Sequence, residues 1–395
     1  MRAVSLENFL IFLAWSIVAL WFSALVRTIY CLKKQKPLNL DATGKSEKNS
    51  FVSILVPARN EAHRILEKSI PSMLYQTYKN YELIVLNDRS IDNTMEILER
   101  FKIQDSRFKI VDGVEPDKTW LGKPHALHQA FQKAKGEWIL TTDADIIFAP
   151  ETLQTVVEYA EKNNFDALTL IPKQIFGSFW ETLFMPIFAW FCVLAMPLHR
   201  VNNAKRKESM GVGNFFMFKR SVLENIGGFS AVKGEVAEDL RLAEIIKRKG
   251  YKLRIDYAPD LIGTRMYSGF REIWEGFTKN LFSGMKFSLT KTFFGVISIS
   301  LFGVLPAFLA FIALFFGNSI FFTPLVLIYI LQILVFAFVQ REWQGNALYA
   351  LLAPFGLALF TAILINSTVK VLSGKGVTWK GRPIYEKGGV RPPTN

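Results

Sequence analysis

Apolar positions along the chain fall into two regimes, long uncharged runs at the ends and short alternating ones in the middle. Between Glu7 and Arg27 lie 19 residues without a charge. A helix of that length, at about 1.5 Å per residue, crosses a hydrocarbon core of about 30 Å. From Thr292 to Gln340 there are 49 uncharged residues, which read as two spans joined by a turn at Gly317-Asn318-Ser319. Residues 343–369 add 27 more, interrupted by Pro354; either the chain turns back there as a re-entrant hairpin, which keeps the basic tail on the favoured cytoplasmic side, or a third crossing leaves the tail external. Residues 182–198 are also uncharged, but Glu181, Pro186 and His199-Arg200 interrupt or close the run, so an interfacial helix is expected near 178–198. A second is expected near 269–288, where Trp274, Phe277 and Phe282 recur at helical spacing among Arg271, Lys279 and Lys286. The pattern predicts a transmembrane anchor over 1–30, about three C-terminal transmembrane segments over 292–371, and a tail over 372–395.

Residues 50–290 change register. Phe51–Val56, Glu82–Leu86, Phe108–Val111 and Glu137–Thr141 are compact strand-like runs. Helical patterns separate them at 63–75, after Asp92 to 103, and over Lys123–Ala134. Asn214–Phe218, Ala237–Lys249 and Lys252–Ile255 continue the series. Strand and helix alternating in this way predict an α/β domain, a largely parallel sheet with helices on both faces. Polar clusters follow Val56, Leu86 and Thr142, at strand carboxyl ends, where such sheets bind ligands.

Composition narrows the class. Half of the 395 residues are hydrophobic, with 35 Phe and 9 Trp, which excludes a disordered chain, while 21% charged residues exclude a chain lying wholly in a membrane. Cys31 and Cys192 are too few for a disulfide framework and sit beside or within apolar runs, so they read as packing residues of a chain folded in a reducing compartment. Of the net charge of +13, residues 27–48 carry +4 (six basic, two acidic) and residues 373–395 another +4 (five basic, one acidic). Both blocks flank apolar runs, the signature of basic loops kept on the cytoplasmic side. The expected location is the cell membrane, multi-pass, with the middle domain cytoplasmic. Arg27, Lys33, Lys34 and Lys36 follow the first run too closely for a cleaved signal peptide. No nucleic-acid reader motif is present, so the positive charge points to lipid or anionic substrate.

Asp143-Ala144-Asp145 places two carboxylates one residue apart at a strand end, where both can face one cation, and hard oxygen donors suit Mg²⁺ or Mn²⁺. Asp88 and Asn60-Glu61 occupy equivalent loops. Lys123 opens a helix, a position that disfavours a cation unless something anionic binds there. Glu238-Asp239 opens another helix, either as an acidic pair favoured by the helix dipole or as catalytic groups. His125 and His128 are three apart but lack further ligands at zinc spacing.

These residues carry a resemblance. Ile54-Leu55-Val56-Pro57-Ala58-Arg59-Asn60-Glu61, Asn87-Asp88-Arg89-Ser90, Gly122-Lys123, Asp143-Ala144-Asp145 and Glu238-Asp239 resemble, in order, the motifs of family 2 glycosyltransferases, over roughly residues 50–285. Trp120-Leu121-Gly122-Lys123-Pro124-His125, the stretch from Trp274 to Asn280, and Trp379-Lys380-Gly381-Arg382 resemble more narrowly the membrane glycosyltransferases that act on diaponeurosporenoate and in hopanoid pathways. The resemblance implies a GT-A, Rossmann-like nucleotide-sugar-binding domain plus transmembrane helices. It implies that Pro57, Asn60 and Glu61 line the nucleotide pocket, that Asp88 contacts the uridine, and that Lys123 faces the base or diphosphate. Asp143 and Asp145 would hold Mn²⁺ or Mg²⁺, with Asp143 also at the donor. Asp239 would be the catalytic base, assisted by Glu238, and Trp379, Lys380 and Arg382 would reach the diphosphate if the tail is cytoplasmic.

One departure matters. Processive family members carry Gln-x-x-Arg-Trp before their C-terminal spans, and none occurs between Thr264 and Thr292. Gln340-Arg341-Glu342-Trp343 is a scrambled version between spans. The expectation is therefore a single inverting transfer, from UDP-glucose to a lipid such as a carotenoid acid, possible partners being other enzymes of that lipid's pathway. A diacylglycerol, polyprenyl phosphate or hopanoid acceptor is the same-class alternative. A transporter or inert membrane scaffold is the different-class one; the uncharged blocks offer a transporter no ion carriers.

Overall fold

The computed structural model describes residues 2–35, 37–38, 49–316, 320–374, 376–379 and 382–383. In chain order the first elements are α1 (Arg2–Lys33), β1 (Val52–Ala58), α2 (Leu66–Leu74), β2 (Tyr81–Asn87), α3 (Thr94–Lys102), β3 (Phe108–Asp112) and α4 (Gly122–Lys133). Next come β4 (Trp138–Thr141), β5 (Ile146–Phe148), α5 (Thr152–Lys162), β6 (Ala167–Ile171), β7 (Lys173–Gln174), α6 (Phe179–Ala195), α7 (Leu198–Val201) and β8 (Phe216–Lys219). Then follow α8 (Arg220–Asn225), α9 (Glu238–Arg248), β9 (Leu253–Tyr257), β10 (Ile262–Thr264), α10 (Phe270–Gly284) and α11 (Leu289–Ser298). The chain closes with α12 (Leu305–Phe316), α13 (Phe322–Glu342), α14 (Ala353–Leu372) and the two-residue strands β11 (Thr378–Trp379) and β12 (Arg382–Pro383). Two compact units result. One comprises Met1–Lys34, Phe176–Pro197 and Tyr267–Val377; the other comprises Gln35–Ile175, Leu198–Met266 and Thr378–Asn395.

The second unit is built on a seven-stranded sheet of order β3-β2-β1-β4-β8-β6-β9. Alternation within each strand fills both faces. Ile54, Val56, Leu83 and Val85 point into one core, against Leu66, Ile70 and Val156. Leu55, Ile84 and Leu86 point into the other, against Ala126, Leu127 and Leu242. The pairs β1–β2, β1–β4, β2–β3 and β6–β9 are parallel. The sheet is not parallel throughout, because β8 runs antiparallel between β4 and β6. The chain lays β2 and β3 to one side of β1 and returns with β4 on the other. That reversal opens a crevice at the carboxyl ends of β1 and β4, the usual ligand position in such sheets. A small sheet, β5-β10-β7, lies apart from the main one.

The first unit is helical. Among the described residues, five helices are long and apolar enough to cross a membrane: Leu6–Lys33, Phe179–Val201, Leu289–Ala313, Phe322–Glu342 and Ala347–Leu372. Helices α11 and α12 run on through a π-helical turn at Ile299–Val304. A π turn disturbs the regular backbone ladder. Carbonyls in it are taken by neighbours: Trp21 Nε1 donates to Phe302 O and Gln332 Nε2 to Gly303 O, both at 2.8 Å. The turn expected at Gly317-Asn318-Ser319 lies outside the described residues. Pro354 does not break a re-entrant hairpin. It sits in the first turn of α14, where its missing N–H costs no helical bond, and a 3₁₀ turn at Ala347–Leu352 leads into that helix.

The apolar face of α10 is not free. Phe277 packs on Phe184 and Phe188 of α6, each with ring centroids 4.7 Å apart, and Ser367 of α14 accepts from the Phe282 amide at 3.2 Å. Helix α6 is held at both ends. Gln340 Nε2 donates to Thr182 O, and Arg27 Nη2 to Leu194 O, both at 2.7 Å.

Candidate active site

The loops after β1 and β2 are stitched into one surface. Asn60 and Arg89 both take left-handed backbone angles, φ 51° and 52°. That strain is offset locally. Asn60 Oδ1 accepts from the Ile91 amide at 3.0 Å, the Asn60 amide donates to Ser90 Oγ at 3.1 Å, and Asn87 Oδ1 accepts from the Ser90 amide at 3.2 Å. Arg59 Nη1 donates to the carbonyls of Asp88 and Arg89 at 2.8 and 3.0 Å. Asp88 is buried and receives Arg89 Nε and Nη2, each at 3.2 Å. Pro57 is partly exposed at the end of β1, and Glu61 is buried.

The loop after β4 carries Asp143 and Asp145, which meet different cations. Asp143 Oδ1 lies 2.7 Å from Lys123 Nζ, and its Oδ2 accepts from Asn214 Nδ2 at 3.1 Å. Asp145 Oδ2 lies 3.0 Å from Arg64 Nη1. Lys123, in the first turn of α4, also reaches Glu238 Oε1 at 3.0 Å. Glu238 and Asp239 open α9, where negative charge complements the helix dipole. Asp239 is fixed by backbone: Gly213 N donates to Oδ2 at 2.7 Å and Leu240 N to Oδ1 at 2.8 Å. Gly213 leaves room for the cation, since a Cβ there would stand 2.9 Å from Lys123 Nζ and would make that side chain shift.

Electrostatics follow from this crowding. Burial, then the neighbouring Glu238 carboxylate, push the Asp239 carboxyl up to about 6, against the opposing pull of Lys123. Burial works against the charge on Lys123, but Asp143, Glu238 and Asp239 outweigh it and hold the ammonium well above its usual range. A cavity lined by Lys123, Thr142, Gly213, Glu238 and Asp239 on its polar side opens onto Leu127, Phe216, Phe229 and Leu242. Trp120 packs its ring on His125 and His128, at 5.4 and 5.0 Å, and burial lowers the basicity of both imidazoles.

Four anticipated residues therefore meet, Lys123, Asp143, Glu238 and Asp239, while Asp145, two positions beyond Asp143, pairs with Arg64 instead. Asp88, Pro57 and Asn60 line the adjoining loops, and Glu61 joins through Arg64, whose Nε is 3.7 Å from Glu61 Oε2. Arg64, Asn214 and Gly213 were not singled out by sequence; their roles depend on chain returning from elsewhere in the fold. Trp379 and Arg382 belong to the β11–β12 ladder, and Lys380 lies outside the described residues. Among the described residues no group of three or more His, Cys, Asp or Glu could hold a metal. The chemistry of Asp143 and Asp145 still fits a hard divalent cation, which characteristically takes few carboxylates and completes its shell from phosphate and water. Each carboxylate already holds a cation, so the loop is built to carry positive charge.

Comparison with known proteins agrees with this geometry. Residues 53–227 match the model for glycosyl transferase family 2. A poly-beta-1,6-N-acetyl-D-glucosamine synthase of Staphylococcus epidermidis is 26% identical over 63% of this chain and 58% of its own length. A 4,4′-diaponeurosporenoate glycosyltransferase of Staphylococcus haemolyticus is 24% identical over 62% of this chain and 65% of its own. The chain thus spans less than two thirds of either relative. The solved structure of a mannosyltransferase from Pyrobaculum calidifontis, in complex with GDP-Man and Mn²⁺, superposes with a TM-score of 0.53 at 21% identity, covering 92% of this chain and 99% of that one. Residues 53–227 thus match glycosyl transferase family 2, and the fold is of the GT-A type.

Proposed function

We propose that the chain is an inverting, non-processive membrane glycosyltransferase that moves one sugar from a nucleotide-sugar donor to a lipid acceptor. The observation that carries this is the Lys123 ammonium set between Asp143 and Glu238, beside the Asp239 carboxyl pushed up to about 6. Transfer needs positive charge where the nucleoside diphosphate departs and a base where the acceptor loses its proton. The acceptor oxygen attacks C1 of the sugar, its proton passes to Asp239, and the bond from C1 to the diphosphate oxygen breaks with inversion. Lys123 faces the leaving diphosphate, and Glu238 keeps Lys123 and Asp239 in place. Pro57, Asn60, Glu61 and Asp88 form the nucleotide side of the crevice. Asp143 and Asp145 would hold Mn²⁺ or Mg²⁺, whose charge would neutralise the diphosphate.

UDP-glucose is the donor and a carotenoid acid the acceptor in this proposal. The likeness to a diaponeurosporenoate glycosyltransferase supports the acceptor, and the lack of Gln-x-x-Arg-Trp in the chain supports a single transfer. A carboxylate acceptor, with a pKa near ~4, is already ionised at neutral pH and draws little on Asp239. A neutral hydroxyl lipid, such as a diacylglycerol or a hopanoid, would draw on it fully, whereas a polyprenyl phosphate, already anionic, would draw on it as little as the carboxylate does.

We place the enzyme in the cell membrane as a multi-pass protein with its sheet in the cytoplasm. Helix α6 is apolar enough to cross, but β6 before it and β8 after it are hydrogen-bonded neighbours in one sheet. Both flanks of α6 therefore lie on one side, and α6 dips into that interface rather than spanning.

Nucleotide release by the detergent-purified protein tests the proposal. With UDP-glucose, Mn²⁺ and a lipid extract, release is expected, and Asp145→Ala is expected to abolish it. Release independent of lipid would contradict the acceptor class, and GDP-Man outperforming UDP-glucose would correct the donor.

A further inference from the structure

We infer that Arg64 is a placeholder cation for Asp145, holding that carboxylate while no donor is bound and yielding it to the divalent cation that arrives with the nucleotide sugar. The inference rests on the glycosyltransferase reading above and adds the order in which its site fills.

Arg64 follows β1 by six residues and turns back across the crevice. Its Nη1 sits 3.0 Å from Asp145 Oδ2 and donates to Met266 O at 3.3 Å, while its Nε is 3.7 Å from Glu61 Oε2. The side chains of Arg64, Asp145 and Glu61 are only 14%, 13% and 8% exposed. A carboxylate this sheltered is costly to leave without a partner, so a folded, donor-free site needs a cation of its own. Arginine supplies one in a form that can be given up. Its planar group carries five donors, so it can release Asp145 and keep Glu61 and the Met266 carbonyl.

Two cations cannot share Asp145 at little cost. A divalent ion approaching Asp145 without a nucleotide must displace the guanidinium and meets its repulsion at short range, with Lys123 holding Asp143 in the same way. A diphosphate changes the balance, because its negative charge attracts the metal and offers the freed guanidinium an anion. Metal uptake is thereby coupled to donor binding through a residue that belongs to neither the aspartate pair nor the base. Arg64 is a positioning residue, and its signature is metal affinity without nucleotide rather than turnover.

The test titrates Mn²⁺ into the full-length protein in detergent, reading free Mn²⁺ by electron paramagnetic resonance, first without nucleotide and then with UDP. Arg64→Gln is expected to bind Mn²⁺ about tenfold more tightly than wild type without nucleotide, within the usual range of coupling between linked sites. Arg64→Lys, which keeps the charge, is expected to behave like wild type, and UDP should narrow the gap. Adding Asp145→Asn to Arg64→Gln should remove the gain. A folded Arg64→Gln that binds Mn²⁺ no more tightly, or a gain that survives Asp145→Asn, overturns the inference while leaving UDP·Mn²⁺ binding by wild type, and so the glycosyltransferase reading, intact. Tight Mn²⁺ uptake by wild type without nucleotide overturns it even if Arg64→Gln does not fold. Wild type that binds neither UDP nor Mn²⁺ overturns both.

Discussion

The backbone amide of Gly213 donates to Asp239 Oδ2 at 2.7 Å, and a methyl group at Gly213 would stand 2.9 Å from Lys123 Nζ and 3.2 Å from that same oxygen. One backbone position thus fixes the proposed base and keeps room for the cation beside it. Gly213→Ala is expected to lower kcat/KM by about 10–100-fold, or roughly 1.4–2.7 kcal/mol of transition-state stabilisation, with the fold retained by circular dichroism. Wild-type kinetics in this variant would show that Lys123 and Asp239 need no close approach to the backbone at this position.

The raised pKa of Asp239 gives the pH dependence a sign. With a hydroxyl acceptor, activity should rise with pH through about 6 as Asp239 loses its proton. With a carboxylate acceptor that limb should flatten, and Asp239→Asn should retain most activity. A steep limb near 6 on a carboxylate acceptor would contradict the assigned role.

Stability should move the other way. Asp239 ionises less readily in the folded chain than at its ordinary value of 3.8, so its ionisation penalises folding. Its favourable contribution is present below about pH 3.8 and is lost as pH rises to about 6. Asp239→Asn should therefore melt at a higher temperature than wild type at pH 7–8, with the difference closing near pH 4. Melting curves across that range check it.

Lys123 pulls the Asp239 carboxyl down while burial and Glu238 push it up. Lys123→Met is expected to move the acid limb for a hydroxyl acceptor above 6 and to cut kcat at least about 100-fold, by loss of charge at the leaving group. The pH–rate profile reads the first effect and saturation kinetics the second. An unshifted limb would mean that Lys123 and Asp239 are not electrostatically coupled.

The topology of α6 is open to labelling. Single cysteines replacing Gly177 and Asn203, introduced after removal of Cys31 and Cys192, should react with an impermeant maleimide from the same side of sealed vesicles. Labelling from opposite sides would contradict the sheet pairing of β6 with β8.

Much of the fold was legible because β1, β2 and β4 are short, largely apolar runs ended by polar loops, with Asp143 just past one such end and Lys123 and Asp239 in the first turns of helices. What was not legible depends on chain separation. Nothing in the order of residues says that β8 returns antiparallel between β4 and β6, since strand direction is set by partners far away in sequence. Arg64 and Asp145 are similarly remote, and an arginine after a strand looks like any solvated cation until the fold closes. Pro354 misled because proline breaks a helix interior but suits a first turn, and only the preceding 3₁₀ turn shows which applies.

Mass spectrometry of the product lipid tests the central claim most directly. Wild type given UDP-glucose, Mn²⁺ and the acceptor lipid should yield one hexose increment, β-linked by nuclear magnetic resonance, and Asp239→Asn should lose it on a hydroxyl acceptor. A ladder of hexose increments, an α-linkage, or a sugar found only in free form would contradict a single inverting transfer to lipid.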